Sequence, residues 1–342
     1  MKSNLWYRNR RPLFIFAGVS SYALALFLVW GLLANPSSHV IRNAYGEYFV
    51  DGTAMINFES CTEQAEKEGA NPLISSFRHD IPGIEDVLQK NAINGNDIIL
   101  LLTNSGFSHF TSNFLCITDE LGIDKIVLAT TDMSSAEYFR AQNRSIVFDP
   151  LRVFGTDTNQ FGSEEHRNIA SSKIFFVYEI LRRGYNVFLS DVDIVIFDKK
   201  VFEHVKDNHP ADLVIQSDSP PPYNSRLKLN TGFFYIRSNA RTLKFLEKVM
   251  MYRLQHPEKH EQEALNNVLA KGEQCINVAV LDRYLYPNGH MYFTYKMCEK
   301  ADIQPKIVHV NYYQSDSKVA LLKHHKWWKI DSEQKCINSL NK

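Results

Sequence analysis

Two aspartates separated by one residue interrupt the apolar segment Val187–Phe197. Asp191 and Asp193 lie in this segment, in which every other residue except Ser190 is apolar. Side chains on an extended strand alternate between its faces, so we expect both carboxylates on one face, roughly 6.6 Å apart along the strand. Neighbouring carboxylates repel each other unless a cation lies between them. The spacing therefore predicts a divalent metal site.

The alternative is a strand that ends at Ser190 and turns, which would leave two solvated aspartates. The four apolar residues that follow Asp193 disfavour a simple turn. A motif as short as Asp-x-Asp matches by chance often, so its place in the chain has to decide its meaning.

The elements around this motif predict an α/β fold with a mostly parallel sheet and flanking helices. Two continuous apolar strands precede it, Asp97–Asn104 and Lys125–Asp132. The predicted helices are Ile84–Ala92, Phe110–Leu121 and Ala170–Arg183. Apolar strands that alternate with helices are typical of a parallel sheet covered on both faces.

Polar residues follow the predicted strands at their carboxyl ends. Thr103 and Asn104 end the first strand, and Asp132 ends the second. Ligands of open α/β sheets bind at this edge, so these residues are expected to share a crevice with Asp191 and Asp193. No glycine-rich dinucleotide or P-loop motif follows the first strand, and neither type of site is supported.

The second half of the chain predicts further strands and helices. The strands are Asp212–Gln216, Thr231–Ile236 and Ile307–Val310, and the helices are Leu243–Leu254 and Glu261–Ala270. The last strand carries one histidine, His309. Taken alone, a histidine between two valines is more often a core residue than a metal ligand.

Charge and composition exclude one class of partner. The 342 residues include 38 Lys and Arg and 38 Asp and Glu. This balance gives no broad basic surface, and nucleic-acid binding is not expected.

The N-terminal residues predict a membrane anchor. Leu13–Ala34 is an uncharged run of 22 residues, about 33 Å long as a helix, and basic residues precede it. The positive-inside rule then predicts a type II protein with a cytosolic tail (1–12), a transmembrane segment (13–34), a stem (35–78) and a lumenal domain (79–342). The alternatives are a cleaved signal peptide and, for the stem, a subdomain packed on the rest.

Two features agree with a lumenal location. Asn143 begins the one Asn-x-Ser/Thr sequence without a middle proline, so it is the expected glycosylation site. The five cysteines form no Cys-x-x-Cys pair, so disulfides are expected in place of a zinc site. The odd count leaves one thiol, and Cys61 in the stem is the candidate for a disulfide-linked dimer.

The order of these segments resembles the nucleotide-diphospho-sugar transferase family. This family comprises retaining glycosyltransferases of GT-A fold and includes the plant rhamnogalacturonan xylosyltransferases and extensin arabinosyltransferases. The matching segments are Ile98–Asn104, Leu128–Asp132, Lys173–Asp193, Asn230–Asn239, Glu261–Asn266, Tyr286–Gly289 and Val308–Asn311. They span most of Asn96–Trp328, whereas the anchor and stem lie outside the resemblance.

The resemblance implies an activity and a metal site. It implies transfer of a sugar, with retention, from a nucleotide-diphosphate donor, expected to be a UDP-sugar, to a glycan or glycoprotein acceptor in the Golgi. Asp191, Asp193 and His309 are the implied ligands of Mn²⁺ or Mg²⁺. A metal neutralises the charge that develops on a diphosphate leaving group.

Other site residues are assigned by the same resemblance. The implied nucleotide-sugar contacts are Thr103, Asn104, Asp132, Lys173, Asp191, Asn230, Thr231, Gly232 and Lys318. Glu261 and Gln262, with Asp218 behind them, are the implied catalytic residues that orient the sugar or acceptor. Each has an ordinary alternative as a cap, a turn residue or a solvated charge. Glu261 departs from the Asp of many relatives.

Two other functions remain open at this point. A haloacid-dehalogenase-like phosphatase would use Asp191 as nucleophile and Asp193 as acid/base. That motif normally follows the first strand of its domain, whereas two buried strands precede Asp191 here, and no downstream acidic motif supplies further metal ligands. The other alternative is a catalytically silent, lumenal sugar-binding protein of the same fold.

Overall fold

A computed structural model describes residues 40–42, 48–50, 63, 65–76, 79–153, 164–219, 228–271 and 275–337. The described residues from Val40 onward belong to one compact unit. Nine strands of these described residues form one sheet: β1 (Val40–Arg42), β2 (Tyr48–Val50), β3 (Asp97–Thr103), β4 (Ile126–Thr130), β5 (Ser145–Phe148), β6 (Asn186–Ser190), β8 (Leu213–Ser217), β9 (Leu229–Ile236) and β10 (Val278–Val280). Their spatial order is β2-β1-β10-β8-β9-β6-β3-β4-β5.

The sheet is mostly parallel, as predicted. Seven of its nine strands run in one direction, and β1 and β9 run against them. Because β9 is reversed, its first residues lie at the same edge as the carboxyl ends of β6 and β8. This edge therefore gathers the ends of β3, β4, β6 and β8 and the beginning of β9.

Helices cover both faces of the sheet. They are α1 (Pro72–Ser76), α2 (Ile84–Asn91), α3 (Ser108–Glu120), α4 (Met133–Ala141), α5 (Glu164–Leu181), α6 (Val201–Asp207), α7 (Ala240–Gln255), α8 (Glu261–Ala270), α9 (Met297–Ala301) and α10 (Ser315–His324). Alternate residues of β3 enter different clusters: Ile99 and Leu101 pack in one, and Ile98 and Leu100 in the other. The strand is buried on both faces, which explains its unbroken apolar sequence.

The prediction that one strand carries both aspartates is wrong. β6 ends at Ser190, residues 191–193 form a turn, and β7 (Ile194–Ile196) belongs to a separate two-stranded sheet with β11 (Ile307–His309). Ile194–Ile196 are buried in β7, which pairs antiparallel with β11, whereas Phe197 after them is exposed. The apolar run thus contains two buried strands of different sheets, β6 and β7, and the turn between them carries Asp191 and Asp193.

The described parts of the expected stem pack against the folded unit. β1 pairs with β10, and Asn71 N donates to Glu247 Oε2 of α7 at 3.0 Å. This packing favours the alternative of an N-terminal subdomain for this part of the chain. The predicted anchor Leu13–Ala34 lies outside the described residues, and among the described helices none combines the length and apolar character needed to cross a bilayer.

Cysteine pairing agrees with the expectation of disulfides. Cys116 of α3 is bonded to Cys336 near the C-terminus, and Cys275 is also disulfide-bonded. Within the described residues the free cysteine is Cys298, which is buried. Cys61 lies outside them, and the disulfide-linked dimer stays a prediction. Asn143 is exposed in a turn with φ 58°, and its glycosylation is likewise untested.

Candidate active site

Three side chains converge at the carboxyl edge of β6. His309 Nε2 lies 3.2 Å from Asp193 Oδ1 and 3.8 Å from Asp191 Oδ2. One ligand atom from each residue lies within 4.8 Å of the other two. The turn after β6 supplies the acids, and the pairing of β7 with β11 brings the histidine to them. Two carboxylate oxygens and one imidazole nitrogen are a donor set that suits Mn²⁺ or Mg²⁺.

Each carboxylate divides its oxygens between a lysine and the shared centre. Lys173 Nζ donates to Asp191 Oδ1 at 2.6 Å, and Lys318 Nζ donates to Asp193 Oδ2 at 2.5 Å. The remaining oxygens are the two that face His309. The lysines fix the orientation of the carboxylates, because rotation of either one would break an ion pair in a partly buried site.

Ion pairing shifts the pKa values of Asp193 and Lys173. Burial acts to raise the pKa of Asp193, but Lys318 and then His309 outweigh it and hold that pKa far below its usual range. Burial acts to lower the pKa of Lys173, yet Asp191 and Glu261 raise it overall. Both groups are charged at neutral pH, which keeps the Asp193 carboxylate in the form that binds a metal.

Gln216 orients the imidazole of His309. His309 Nδ1 lies 2.9 Å from Gln216 Oε1, and Gln216 Nε2 donates to Tyr286 O at 3.0 Å. Since the amide NH₂ is used by Tyr286, the amide oxygen faces the ring and accepts from Nδ1–H. Nε2 is then the ring nitrogen that faces the acids, and a bound metal would take its lone pair there.

Gly232 leaves the space in which the three ligands meet. A Cβ at this position would lie 2.4 Å from His309 Cε1, 2.6 Å from Asp191 Oδ2 and 2.8 Å from Asn230 Oδ1. Gly232 O also accepts from Asp191 N at 2.7 Å, and Gly232 N donates to Asn230 Oδ1 at 2.7 Å. Only glycine allows β9 to approach the cluster this closely. The ligand set, its orientation and this space fit a divalent cation.

Asp218, which follows β8, holds a group of amides beside this centre. Its carboxylate accepts hydrogen bonds from four side-chain amides, at distances of 2.8 to 3.3 Å. The donors are Asn230, Gln262, Asn288 and Asn311. Asp218 therefore orients the polar groups around it, and a direct catalytic role for this residue stays a prediction.

The beginning of α8 lies against the beginning of β9. Glu261 Oε1 accepts from Thr231 Oγ1 at 3.1 Å and lies 3.7 Å from Lys173 Nζ. Gln262 Oε1 accepts from Thr231 N at 3.1 Å. The structure thus brings Glu261 and Gln262 together with Thr231, one of the implied nucleotide-sugar contacts. They have tertiary partners in addition to their position at a helix N-terminus.

The residues at the ends of β3 and β4 have local partners. Thr103 Oγ1 lies 2.6 Å from Thr111 Oγ1, and Asn104 Oδ1 accepts from Phe107 N at 3.1 Å. Asp132 caps α4 and accepts hydrogen bonds from Ser105 N and Ser135 N, both at 2.8 Å. These contacts are the ones expected of capping or buried residues, which is the alternative to a nucleotide-binding role. Their contact with a nucleotide stays a prediction.

Several residues of the site carried no assigned role in the sequence. Gln216 ends the predicted strand Asp212–Gln216, so its polar side chain at a strand end is the signal that could have placed it in the site. Asn288 and Asn311 fall in segments that match the family pattern, but nothing in their spacing indicates that both reach Asp218. A link between residues so far apart in the chain depends on the order of the strands in the sheet.

Comparison with known proteins identifies the family. The model of the nucleotide-diphospho-sugar transferase family matches residues 121–322, more than half of the chain. This match covers the aspartates, His309, Glu261 and Gln262, and it disfavours the phosphatase alternative.

Two curated relatives are similar to the chain over more than half of its length. UDP-galactose:fucoside alpha-3-galactosyltransferase of Dictyostelium discoideum is 26% identical over 278 residues, which are 64% of this chain and 41% of that protein. Beta-arabinofuranosyltransferase RAY1 of Arabidopsis thaliana is 25% identical over 224 residues, 60% of this chain and 42% of that protein. The alignments thus span about two fifths of the length of these relatives.

Among solved structures, a glycosyltransferase involved in the glycosylation of the major capsid of PBCV-1 aligns with 67% of this chain and 99% of that one. The TM-score is 0.42 and the sequence identity 13%. From the family match, together with a site that assembles the residues of its motifs, we conclude that the chain belongs to the nucleotide-diphospho-sugar transferase family.

Proposed function

We propose that this protein is a metal-dependent glycosyltransferase of GT-A type. It moves a sugar from a nucleotide-diphosphate donor, a UDP-sugar, to a glycan or glycoprotein acceptor, with retention at the anomeric carbon. The observation that carries the proposal is the cluster of Asp191, Asp193 and His309, with Nε2 of the histidine directed at the carboxylates by Gln216. The names of the two curated relatives, a UDP-galactose-dependent enzyme and an arabinofuranosyltransferase, support the substrate class.

Asp191, Asp193 and His309 would hold Mn²⁺ or Mg²⁺. When bound, the ion supplies Lewis-acid stabilisation of the diphosphate leaving group. Each aspartate pairs one carboxylate oxygen with a lysine, so the other oxygen of each, the one that faces His309, is the atom that would meet the ion.

The side chains around Gly232 position the transferred sugar. Gln262 and Glu261 are held against Thr231, and Asp218 holds Gln262 and Asn230. In the front-side route that retention implies, an oxygen of the leaving diphosphate takes the acceptor's proton, and no protein base is required. The chain's own contribution is then to orient the sugar and acceptor and to stabilise positive charge at the anomeric carbon.

The location is part of the same proposal. A Golgi membrane protein with a lumenal catalytic domain fits the predicted N-terminal anchor, the cysteine pairing and the exposed Asn143. Fractionation of cells expressing the tagged chain, followed by protease protection, tests the location and the orientation.

A thermal-shift screen of nucleotide sugars tests whether the chain binds a donor, which is the first requirement of the proposed activity. The right donor raises the unfolding midpoint by mass action, and it should do so only when Mn²⁺ or Mg²⁺ is present. Asp193→Ala should abolish the donor-induced shift and the release of UDP. If the wild-type chain shows no shift with any UDP-sugar and metal, the proposal is wrong.

Asp198→Ala is the matched control for Asp193→Ala. Asp198 also accepts from a lysine, Lys306, at 2.6 Å. It follows β7, however, and so lies at one end of the two-stranded sheet, whereas His309 lies at the other end. Its replacement removes an ion pair of the same type without touching the cluster. The donor-induced shift should persist, and its loss in both variants would show that the shift does not report on the metal site.

A further inference from the structure

Two exposed aromatic rings stack beside the carboxylate Asp218. The ring centroids of His290 and Tyr312 lie 4.0 Å apart, with an interplanar angle of 18°. His290 is exposed, and Tyr312 is 50% exposed. Tyr295, 37% exposed, meets His290 edge-on at 6.5 Å. Aromatic surface that stays exposed next to a polar site indicates a binding surface.

The backbone at Tyr312 is held in an unfavourable conformation. Its φ is 66°, in the left-handed region, which a bulky side chain rarely adopts. Such conformations persist where surrounding contacts impose them, and they concentrate at binding sites. Here the preceding residue, Asn311, donates through its side chain to Asp218 Oδ1 at 3.3 Å, which holds this segment against the carboxylate. Burial and then the negative charge of Asp218 raise the pKa of the Tyr312 hydroxyl. The ring is thus fixed while much of it faces solvent.

Short segments attach these rings to the metal cluster. Tyr312 lies three residues after His309, and Val310 N between them donates to Asp193 O at 2.9 Å. Gly289, which precedes His290, donates through its N to Asn311 Oδ1 at 2.9 Å. His290 and Tyr312 therefore have a defined position relative to the proposed metal ligands.

Sheet order places these rings on one flank of the aspartates. Along the sheet edge, β8 and β9 lie on one side of β6, and β3 and β4 lie on the other. Asp218, which follows β8, holds Asn311 next to Tyr312, whereas the proposed nucleotide contacts Thr103, Asn104 and Asp132 lie at or just after the ends of β3 and β4. With the diphosphate at the centre, the flank of Asp218 is the side left for the transferred sugar and the acceptor.

We propose that His290 and Tyr312 form a platform on which a sugar ring of the acceptor stacks. This inference rests on the proposed function and names the part of the acceptor that binds to these rings. A sugar ring has a C–H face that packs on aromatic rings and a rim of hydroxyls that pairs with amides and carboxylates. The exposed rings and the half-buried amides of Gln262 and Asn311, which Asp218 orients, offer both kinds of contact side by side. The acceptor class is therefore a glycan, recognised through a sugar ring, and the peptide of a glycoprotein is not what these rings bind.

Saturation-transfer NMR on the full chain tests the platform without requiring turnover. The probes are methyl glycosides of fucose, xylose, galactose and arabinose, each added with UDP and Mn²⁺. At least one glycoside should receive saturation at its ring C–H protons from aromatic protein resonances. The same experiment with a short serine- and threonine-rich peptide should show no such transfer.

Three variants separate stacking from other effects. Tyr312→Asn removes the ring but tolerates the left-handed φ, and it should weaken glycoside binding at least tenfold. Tyr312→Phe keeps the ring and loses the hydroxyl, so binding should change about threefold or less. His290→Asn, in an exposed position, should weaken binding about threefold or more. Unchanged unfolding midpoints and UDP affinities in these variants establish that they fold and keep the nucleotide site.

The outcomes distinguish this inference from the proposed function. Glycoside binding by Tyr312→Asn at wild-type strength overturns the platform, and so does a wild-type chain that binds UDP but no glycoside, or that binds the peptide through these rings. A wild-type chain that binds neither UDP nor a UDP-sugar with metal overturns the proposed function instead.

Discussion

Replacing Gly232 with alanine adds a methyl group at the point where the proposed metal ligands meet. The new Cβ would lie 2.4 Å from His309 Cε1, which is 1.0 Å inside the 3.4 Å at which ordinary contact begins. It would also lie 2.6 Å from Asp191 Oδ2. Gly232 is in β9 and has no positive φ, so alanine meets no backbone obstacle there. The substitution therefore tests the close approach alone.

The expected result follows from how little the distances between a metal ion and its ligand atoms can vary. Ligand distances vary by only about 0.2 Å around their preferred values, so a displacement on the order of 1 Å removes a ligand from the site. We expect the affinity for Mn²⁺, measured by titration calorimetry, to fall at least tenfold. Overpacking should also lower the free energy of unfolding of the metal-free chain by about 1–3 kcal/mol.

His309→Ala provides the matched background. It removes the imidazole atom closest to the new methyl group, so Gly232→Ala should destabilise the metal-free chain less in this background than in the wild type. Denaturant unfolding of the four proteins in the cycle gives this coupling. Wild-type Mn²⁺ affinity in Gly232→Ala, or equal destabilisation in both backgrounds, would refute the role given to Gly232.

Three further predictions concern separate contacts. Gln216→Leu should weaken Mn²⁺ binding about 10- to 100-fold by calorimetry, because His309 loses the partner that fixes its proton; unchanged affinity would contradict this. Asp132→Asn should lower the free energy of unfolding by about 1–3 kcal/mol at pH 6, because asparagine has one acceptor oxygen whereas the carboxylate accepts from Ser105 N and Ser135 N with different oxygens. Although burial acts to raise the pKa of Asp132, hydrogen bonds from neighbouring serines lower it below 3.8, so the carboxylate's contribution is present above that value and is lost as pH falls through the lower folded pKa. Urea unfolding should therefore show a smaller difference at pH 3 than at pH 6, and an equal difference would refute the assignment. Replacing Cys116 and Cys336 together with alanine should lower the free energy of unfolding by about 2–4 kcal/mol, since the bond joins residues 220 apart, and urea unfolding that matches the wild type would contradict this.

Local patterns in the sequence were sufficient to predict the strands that are buried on both faces. β3 and β4 have continuous apolar residues because helices cover both sides of them, and their bounds agree with the prediction to within a residue or two. The helix Glu261–Ala270 has the predicted bounds. Short elements with few residues, such as β10, have too little pattern to be predicted.

The break after Ser190 could not be read from the sequence. An apolar run looks the same whether it forms one strand or two strands of different sheets, because both environments bury it. Only the pairing of β7 with β11 distinguishes them, and its partner lies more than a hundred residues away. This pairing is also what brings His309 to the aspartates.

The sequence, together with the family resemblance, determined the kind of chemistry expected of this protein, through the types and spacing of Asp191, Asp193 and His309. The tertiary structure decided how these groups are held: which oxygen of each aspartate faces the histidine, which ring nitrogen Gln216 binds, and how closely Gly232 approaches. It also decided that His290 and Tyr312 stack beside Asp218. The physical reason is that residue type fixes what a side chain can do, whereas distances between residues far apart in the chain depend on the order and pairing of the strands.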